Sequence, residues 1–241
     1  MALIFHVSDL HFGAEDKAAL AWFAREAQAQ RPDAIIVTGD LTMRARRREF
    51  RAAQDWLETL PAPLSIEVGN HDLPFFNLFA RFADPYGRFE RLERDIERRL
   101  DLPGLDIIPL RTTARVQWRL DWSKGHMTPA RVEQAKGSLV RAHGPIRLIA
   151  CHHPLIEPET RGTARTHGGR EALEALALAG ADGILSGHVH DPYDRTIEIE
   201  GQPVRLIGAG TLSERVRDSR PSYNAIRTEG EALAVEIRYA A

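Results

Sequence analysis

The sequence predicts an α/β fold, and three observations carry that prediction. Short apolar runs that read as buried strands alternate with helical stretches through most of the chain. Several of these runs end in Asp, Asn or His, as strands do when they deliver polar side chains to the rim of a sheet. From Tyr193 onward strands follow one another with turns and no helix between them, an antiparallel meander and the signature of a second sheet. At 241 residues, 43% hydrophobic and 27% charged, the chain is long enough for one large α/β domain with a sizeable core. No low-complexity segment, internal repeat or linker divides it, so residues 1–241 read as a single domain.

Ala2 to Val7 is a buried first strand that runs into Ser8-Asp9-Leu10-His11-Phe12-Gly13. Extended backbone there would point Asp9 and His11 the same way, because strand side chains alternate with period two. By itself an Asp-x-His pair is more often a loop pair without a metal. Lys17 to Gln30 has helical spacing and stops at Arg31-Pro32. Ala34 to Val37 is a second strand, ending at Thr38-Gly39-Asp40-Leu41, again a carboxylate at a strand tip, beside a glycine that allows close backbone approach. Arg44, Arg46, Arg47, Arg48 and Arg51 follow in a helix to about Leu60. Because Glu49, Asp55 and Glu58 share that helix, the arginines read as a solvated face rather than as phosphate clamps. Leu64 to Val68 is the third strand and delivers Gly69-Asn70-His71-Asp72. An Asn oxygen is a hard neutral ligand and the adjacent His titrates near neutrality, so this turn offers a metal ligand and a proton donor together.

Between Leu73 and Leu100, Phe75, Phe79, Phe82, Tyr86 and Phe89 recur at spacings of three and four, one helical face, with Phe76 among them. Pro85 breaks that helix, and Arg88 to Leu100 continues as a charged amphipathic one. Such an aromatic stripe is more often core than ligand box; a pocket wall or a dimer surface is the alternative for the segment 73–105. Arg81 and Arg88, seven apart, are the arginines here that could face a phosphate. Asp106 to Leu110 and Arg115 to Leu120 read as strands, and Thr128 to Ala142 as a helix after the turn Lys124-Gly125-His126. Ile146 to Ala150 is a buried strand ending at Cys151-His152-His153-Pro154. Gly168 to Leu178 is a helix, helped by its alanines and leucines. Gly183 to Leu185 is a short strand ending in Ser186-Gly187-His188-Val189-His190. Tyr193 to Glu200, Pro203 to Gly208, Ser222 to Arg227 and Ala232 to Tyr239 complete the meander.

Composition removes several function classes. A formal net charge of -2 makes no electrostatic case for a nucleic-acid or membrane surface. The single cysteine, Cys151, excludes an intramolecular disulfide, fits a reducing compartment and reads as a small buried side chain. The apolar N-terminal run is too short for a signal peptide, and no stretch approaches the ~20 apolar residues of a membrane span. A cytoplasmic protein is expected.

Five strand ends together supply Asp9, His11, Asp40, Asn70, His71, His152, His153, His188 and His190. Parallel strands of one sheet align their C-terminal ends along one edge, so these patches can converge. Mixed carboxylate, imidazole and amide donors suit Mn, Fe, Zn or Co and do not suit a thiolate site. Seven ligands exceed what one tetrahedral ion takes, yet divide well between two ions sharing a carboxylate. A water bridging two such ions loses its proton at neutral pH, and both ions draw charge off the oxygens of an in-line displacement at phosphorus.

With these residues in view the sequence resembles the calcineurin-like metallophosphoesterase superfamily. The superfamily's pattern is Asp-x-His, Gly-Asp, Gly-Asn-His-Asp/Glu, His and Gly-His-x-His. Its blocks are met in order by Asp9 with His11, Gly39-Asp40, Gly69-Asn70-His71-Asp72, His152 and Gly187-His188-Val189-His190. The likeness runs from Ile4 to about Arg227 and, within the superfamily, is strongest to the class III cyclic nucleotide phosphodiesterase group. It implies two mixed sheets packed face to face and flanked by helices, a four-layer α/β/β/α sandwich. It also implies two divalent or trivalent ions, Mn or Fe foremost, with Zn or Co as alternatives. Asp9, His11 and His190 would hold one ion, Asn70, His152 and His188 the other, with Asp40 bridging. His71 would act as general acid and contact substrate, and Asp72 would orient it. The family's ligand stands two before the proline, which implies His152 and leaves His153 to contact substrate, although the two could exchange roles. His6, His126, His143 and His167 read as ordinary histidines, His167 being the one most expected to face the site.

The activity implied is attack of a metal-bound hydroxide on a phosphodiester, cyclic nucleotides included. A phosphomonoesterase or nucleotide pyrophosphatase is the runner-up. A non-catalytic protein-binding scaffold and a nuclease acting on nucleic-acid ends are the other classes. The expected partner is a small phosphorylated substrate, with no membrane and no nucleic acid, and a homodimer could form through the aromatic stripe.

Overall fold

The computed structural model describes residues 1–75, 77–114, 123–160, 162–217, 219–230 and 232–240. The strand expected at Arg115–Leu120 and the aromatic Phe76 lie outside them. The elements follow the order β1 (Leu3–Val7), α1 (Lys17–Gln30), β2 (Ala34–Val37), α2 (Arg47–Leu57), β3 (Leu64–Ile66), α3 (Leu78–Ala83), α4 (Gly87–Ile96), β4 (Leu105–Pro109), α5 (Pro129–Arg141), β5 (Ile146–Ala150), α6 (Gly169–Leu178), β6 (Gly183–Ser186), β7 (Tyr193–Ile199), β8 (Gln202–Gly208), β9 (Ser222–Glu229) and β10 (Ala232–Tyr239).

Local chemistry sets the helix ends. The Asp16 carboxylate accepts from the amides of Ala18 and Ala19 and starts α1, which ends on Arg31 in a left-handed conformation ahead of Pro32. Thr128 caps α5, and Pro129 occupies its first turn, where a missing N–H costs nothing. The arginine-rich helix is shorter than expected. α2 begins at Arg47 because the buried Glu49 carboxylate turns back to accept from the amides of Arg44 and Arg46. Arg46, Arg47, Arg48 and Arg51 are exposed, as a solvated face should be.

The two five-stranded sheets run β10-β9-β1-β2-β3 and β4-β5-β6-β8-β7. β1, β2 and β3 are parallel, as are β4, β5, β6 and β8. The C-terminal strands do not form one second sheet as the meander suggested. β7 and β8 pair antiparallel with each other, and β8 docks parallel to β6. The chain then crosses back, so that β9 pairs antiparallel with β1 and β10 completes the first sheet. The reason is burial. β9 is buried over most of its length, as its place between β10 and the buried β1 allows.

Strand alternation sorts the core into layers. Ile4, Ala34, Ile36, Leu148, Ala150, Leu185, Ile207 and Ile226 fill the space between the sheets. On the outer face of the first sheet Phe5, Val7, Ile35 and Val37 pack on Phe23 of α1, Phe50 and Leu57 of α2 and Phe89 of α4. On the outer face of the second, Ile149, Ile184 and Leu206 pack on Leu139 of α5 and Leu173 and Leu176 of α6. The result is the helix–sheet–sheet–helix order expected. No helix among the described residues is long and apolar enough to cross a membrane.

The aromatic stripe is mostly not core. Phe89 is buried, but Phe75, Phe79 and Phe82 are 57%, 84% and 47% exposed. Asp84 ends α3 and Gly87 opens α4, so the face that would have kept the rings in register is broken in two. Arg88 turns to the carbonyl of Ala45, 2.5 Å away, and faces no phosphate site.

Deep between the elements, the fully buried His6 ring spans Thr38 Oγ1 at 3.0 Å and the Asn224 side chain at 3.2 Å. Burial pushes its pKa down to about 3, against the attraction of Asp9. A folded pKa below the unfolded value means the unfolded chain takes up the extra proton. The contribution is therefore full at neutral pH and lost as pH falls from about 6.5 toward 3. The unfolding free energy of the metal-free protein, from denaturant titrations, should fall between pH 7 and pH 4 by an amount on the order of a few kcal/mol. His6→Gln should flatten that fall; an unchanged slope would remove His6 as its cause.

Candidate metal centre

The C-terminal ends of β1, β2, β3, β5 and β6 deliver Asp9, Asp40, Asn70, His152 and His188 to one edge of the sandwich. Asp9 and His11 are not in extended backbone. Their φ angles are 56° and 46°, and Asp40, His188 and His190 are left-handed too, at 51°, 72° and 63°. Non-glycine residues in that region are uncommon and cost roughly 1–3 kcal/mol each. The strain is met by hydrogen bonds between loops: Asp9 N to Gly39 O, His11 N to Asp40 O, and His188 N to Asp9 Oδ2, at 3.0, 3.0 and 2.8 Å. Convergence thus comes from interlocked loops rather than from strand alternation. Gly39, at φ 95°, is required by more than its own conformation, since a Cβ there would sit 2.7 Å from His152 Nδ1.

Two donor groups result. In the first, Asp9 Oδ1 lies 3.1 Å from His190 Nε2 and 3.6 Å from His11 Nε2, and the two imidazole nitrogens are 3.2 Å apart. In the second, His152 Nε2 lies 3.2 Å from Asn70 Oδ1 and 3.4 Å from Asp40 Oδ2, with the His188 ring 5.2 Å from that of His152. Asp40 stands between them, its Oδ2 also 3.8 Å from His11 Nε2. Asp9, His11, Asp40 and His152 are buried. His152 and His190 commit Nδ1 to the carbonyls of Thr38 and Arg215, at 2.7 and 2.6 Å, which aims each Nε2 lone pair inward.

Does this set fit metal ions? Asp9 Oδ1 is buried and has no hydrogen-bond partner. Burial alone would raise the pKa of Asp9, but His190, His11 and His152 hold it well below the usual carboxylate range. Asp40 behaves alike: burial opposes ionisation, and His152 and His71 overcome it. Burial resists a charge on His152, yet Asp40 and Asp9 draw its pKa up to about 9. A cluster that holds two ionised carboxylates and pulls a proton onto a buried imidazole is a cluster short of positive charge, and cations supply it. Asp9 with His11 and His190, and Asp9 with Asp40 and His152, are groups of donor atoms close enough to hold an ion.

His153 packs against His152 and His188 but has both ring nitrogens engaged, Nδ1 with Thr112 Oγ1 and Nε2 with Ser123 O, each at 2.9 Å. His153 also belongs with His152 and His188 to a group of donors close enough to hold an ion. In this arrangement both of its nitrogens are turned to the protein, which favours His152 as the ligand. His71 stands at the open side of the cluster. Its amide donates to Asp40 Oδ1 and its Nδ1 to the carbonyl of Met43, both at 2.8 Å. Asp72 does not orient the His71 ring as expected. Its carboxylate accepts from the amides of Leu41, Thr42 and Gly69 and so ties the β2 and β3 loops together. Burial and the charge of Asp40 raise its pKa to about 7.

The sequence reading missed Arg215. Its Nη1 lies 3.0 Å from His71 Nε2, and with Lys124, Arg217 and Ser123 it lines a cleft of about 180 Å³ over Asp40, Asn70, His188 and His190. The signal was β8: lying parallel to β6, it sends its exit loop to the same edge, which an antiparallel meander would not. His167 does not face this cleft. It lines a separate, larger groove of about 920 Å³ between α6 and β7, which none of the strand-end donors lines, and its ring stands 5.2 Å from that of His126.

Comparison with known proteins agrees with this geometry. A family model described as calcineurin-like phosphoesterase matches residues 2–192. A probable cyclic nucleotide phosphodiesterase of Rhodococcus erythropolis is 24% identical over 97% of this chain and 82% of its own. Another, from Synechococcus sp., is 26% identical over 79% of this chain and 74% of its own. The purple acid phosphatase PPD1 of yellow lupin shares the fold with a TM-score of 0.72 at 16% identity, covering 99% of this chain and 51% of the lupin one.

Two outcomes check the centre. Titrating Mn²⁺ or Zn²⁺ into metal-free protein at pH 8 in weak buffer should release protons, because His152 must give up its own to become a ligand. Asp40→Ala should lose bound metal by elemental analysis together with hydrolysis; full metal content in that variant would dismantle the shared-carboxylate arrangement.

Proposed function

The chain belongs to the calcineurin-like phosphoesterase family, a family of phosphoric ester hydrolases, and on that premise we propose that it is a dinuclear metal-dependent phosphodiesterase acting on small phosphodiesters. The observation that carries the reading is the pair of donor groups that meet at Asp9 and Asp40, with the buried Oδ1 of Asp9 unpartnered. Asp9, His11 and His190 would hold one ion, Asn70, His152 and His188 the second, and Asp40 both. Mn and Fe suit this donor set, as do Zn and Co. Such a pair, when bound, neutralises charge on a phosphoryl group and supplies a nucleophile at neutral pH.

The chain's own residues do the rest. His71 and Arg215 flank the open side with Nε2 and Nη1 3.0 Å apart, so two adjacent oxygens of a phosphate ester can each meet a nitrogen. We assign the imidazolium form of His71 to give its Nε2 proton to the leaving oxygen and so return to the neutral ring, with Nδ1–H held by the Met43 carbonyl. Arg215 Nη1, now facing Nε2, would turn to the phosphoryl oxygens in that complex. Arg215 adds a permanent charge toward the phosphoryl oxygens. Asp72 serves by locking the loops that carry Asp40 and His71. Cyclic nucleotides are the substrates suggested by the names of the two phosphodiesterase relatives. The second reading, a phosphomonoester or nucleotide pyrophosphate, is favoured by Lys124 and Arg217, which bring more cationic charge to the cleft than a single diester requires.

Bis(p-nitrophenyl) phosphate, p-nitrophenyl phosphate and cyclic AMP, tested on metal-loaded protein, separate these readings. The diester should be turned over fastest, and a monoester rate above it would reverse the order. His71→Ala should lower kcat on the order of 10²–10⁴-fold with metal content intact. Loss of metal in that variant would reassign His71 as a ligand.

A further inference from the structure

A second space opens beside the cleft. It measures about 300 Å³ and is lined by Met43, Arg44, Leu73, Phe75 and Arg81, with Asn70, His71 and Ser123 forming a wall common to both. An ester held in the cleft with its oxygen at His71 therefore has this pocket directly next to it. Its size lies at the lower end of the roughly 300–1,000 Å³ of small-molecule sites.

The lining is chemically one-sided. Met43, Leu73 and Phe75 contribute thioether, isobutyl and phenyl groups. Three oxygens there already meet an imidazole: the Met43 carbonyl takes His71 Nδ1, the Ser123 carbonyl takes His153 Nε2, and Asn70 Oδ1 faces His152 Nε2. The charged groups, Arg44 and Arg81, bring only donors, and Arg81 Nη2 donates to the carbonyl of Ala114. A polyol substituent would give up water against the apolar side chains of Met43, Leu73 and Phe75 and would have to share acceptors that already carry a contact. A flat aromatic ring needs no acceptor. It gains contact with the Phe75 ring and with the side chain of Met43, whose sulfur also lies 3.5 Å from Arg215 Nη1.

Resting on the phosphoesterase reading above, we infer that this pocket selects phosphate esters carrying a flat aromatic substituent, with Phe75 and Met43 as the residues that set the preference. Phe75, which lies in the segment 73–105, is then a binding wall of that pocket.

The test uses metal-loaded protein and three phosphonates that cannot be hydrolysed: phenyl-, methyl- and 2,3-dihydroxypropylphosphonate, with affinities read by calorimetry. Phenylphosphonate should bind on the order of tenfold more tightly than the other two. Phe75→Ala and Met43→Gln should each shrink that ratio, and Phe75→Trp should keep it. Because Phe75 is 57% exposed, its replacement spares the core. Equal affinity for the three, or an unchanged ratio in both Phe75→Ala and Met43→Gln, overturns the pocket while leaving the phosphoesterase reading in place. No binding by any of the three, together with no hydrolysis of bis(p-nitrophenyl) phosphate, overturns both.

Discussion

Everything at this sheet edge is arranged around negative charge kept out of water. Asp9 and Asp40 are buried, and a carboxylate in that position is tolerated only where positive charge meets it. The imidazoles around them serve that need, held by carbonyls from neighbouring loops so that their free nitrogens face inward. The left-handed conformations of Asp9, His11, Asp40, His188 and His190 follow from the same demand, since the chain must fold tightly enough to bring five segments to one point. A centre built this way stores backbone strain that the surrounding hydrogen bonds keep in place.

The strand ends were legible because they combine two signals that reinforce each other, an apolar run and a metal-suited side chain at its tip. Asp9, Asp40, Asn70, His152 and His188 needed no more than that, and β1, β2 and β5 fell within a residue of their expected bounds. What could not be read is what depends on partners distant in sequence. The neighbouring rings His152 and His153 differ only in what Thr38, Thr112 and Ser123 do to them. The aromatic stripe had the spacing of a core helix, but the helix spans only Leu78 to Ala83, ending at Asp84 and leaving Phe75 ahead of it, and Phe75, Phe79 and Phe82 are exposed. Alternation alone could not tell a strand of the second sheet from one returning to the first, and that error also hid Arg215.

Fold and chemistry separate cleanly here. The lupin phosphatase shares the sandwich at 16% identity, which speaks to the frame and not to what is bound in it. The donor set governs reaction type, whereas the walls contributed by Met43, Leu73, Phe75 and Arg215 come from connecting segments, where such frames accept variation most readily.

The return of the chain from β8 to β9 has a consequence for biogenesis. During synthesis β1 emerges well before its antiparallel neighbour, which follows more than two hundred residues later at the pairing of Leu3 with Arg227. Until then one edge of the nascent first sheet stays open and sticky, and Arg215 has not yet arrived beside His71. Contacts this distant along the chain are slow to close. An intermediate in which β9 has not yet docked thus leaves β1, whose end carries Asp9 and His11, bare along one side, and the frame beneath the donors is finished only when that long-range pairing closes.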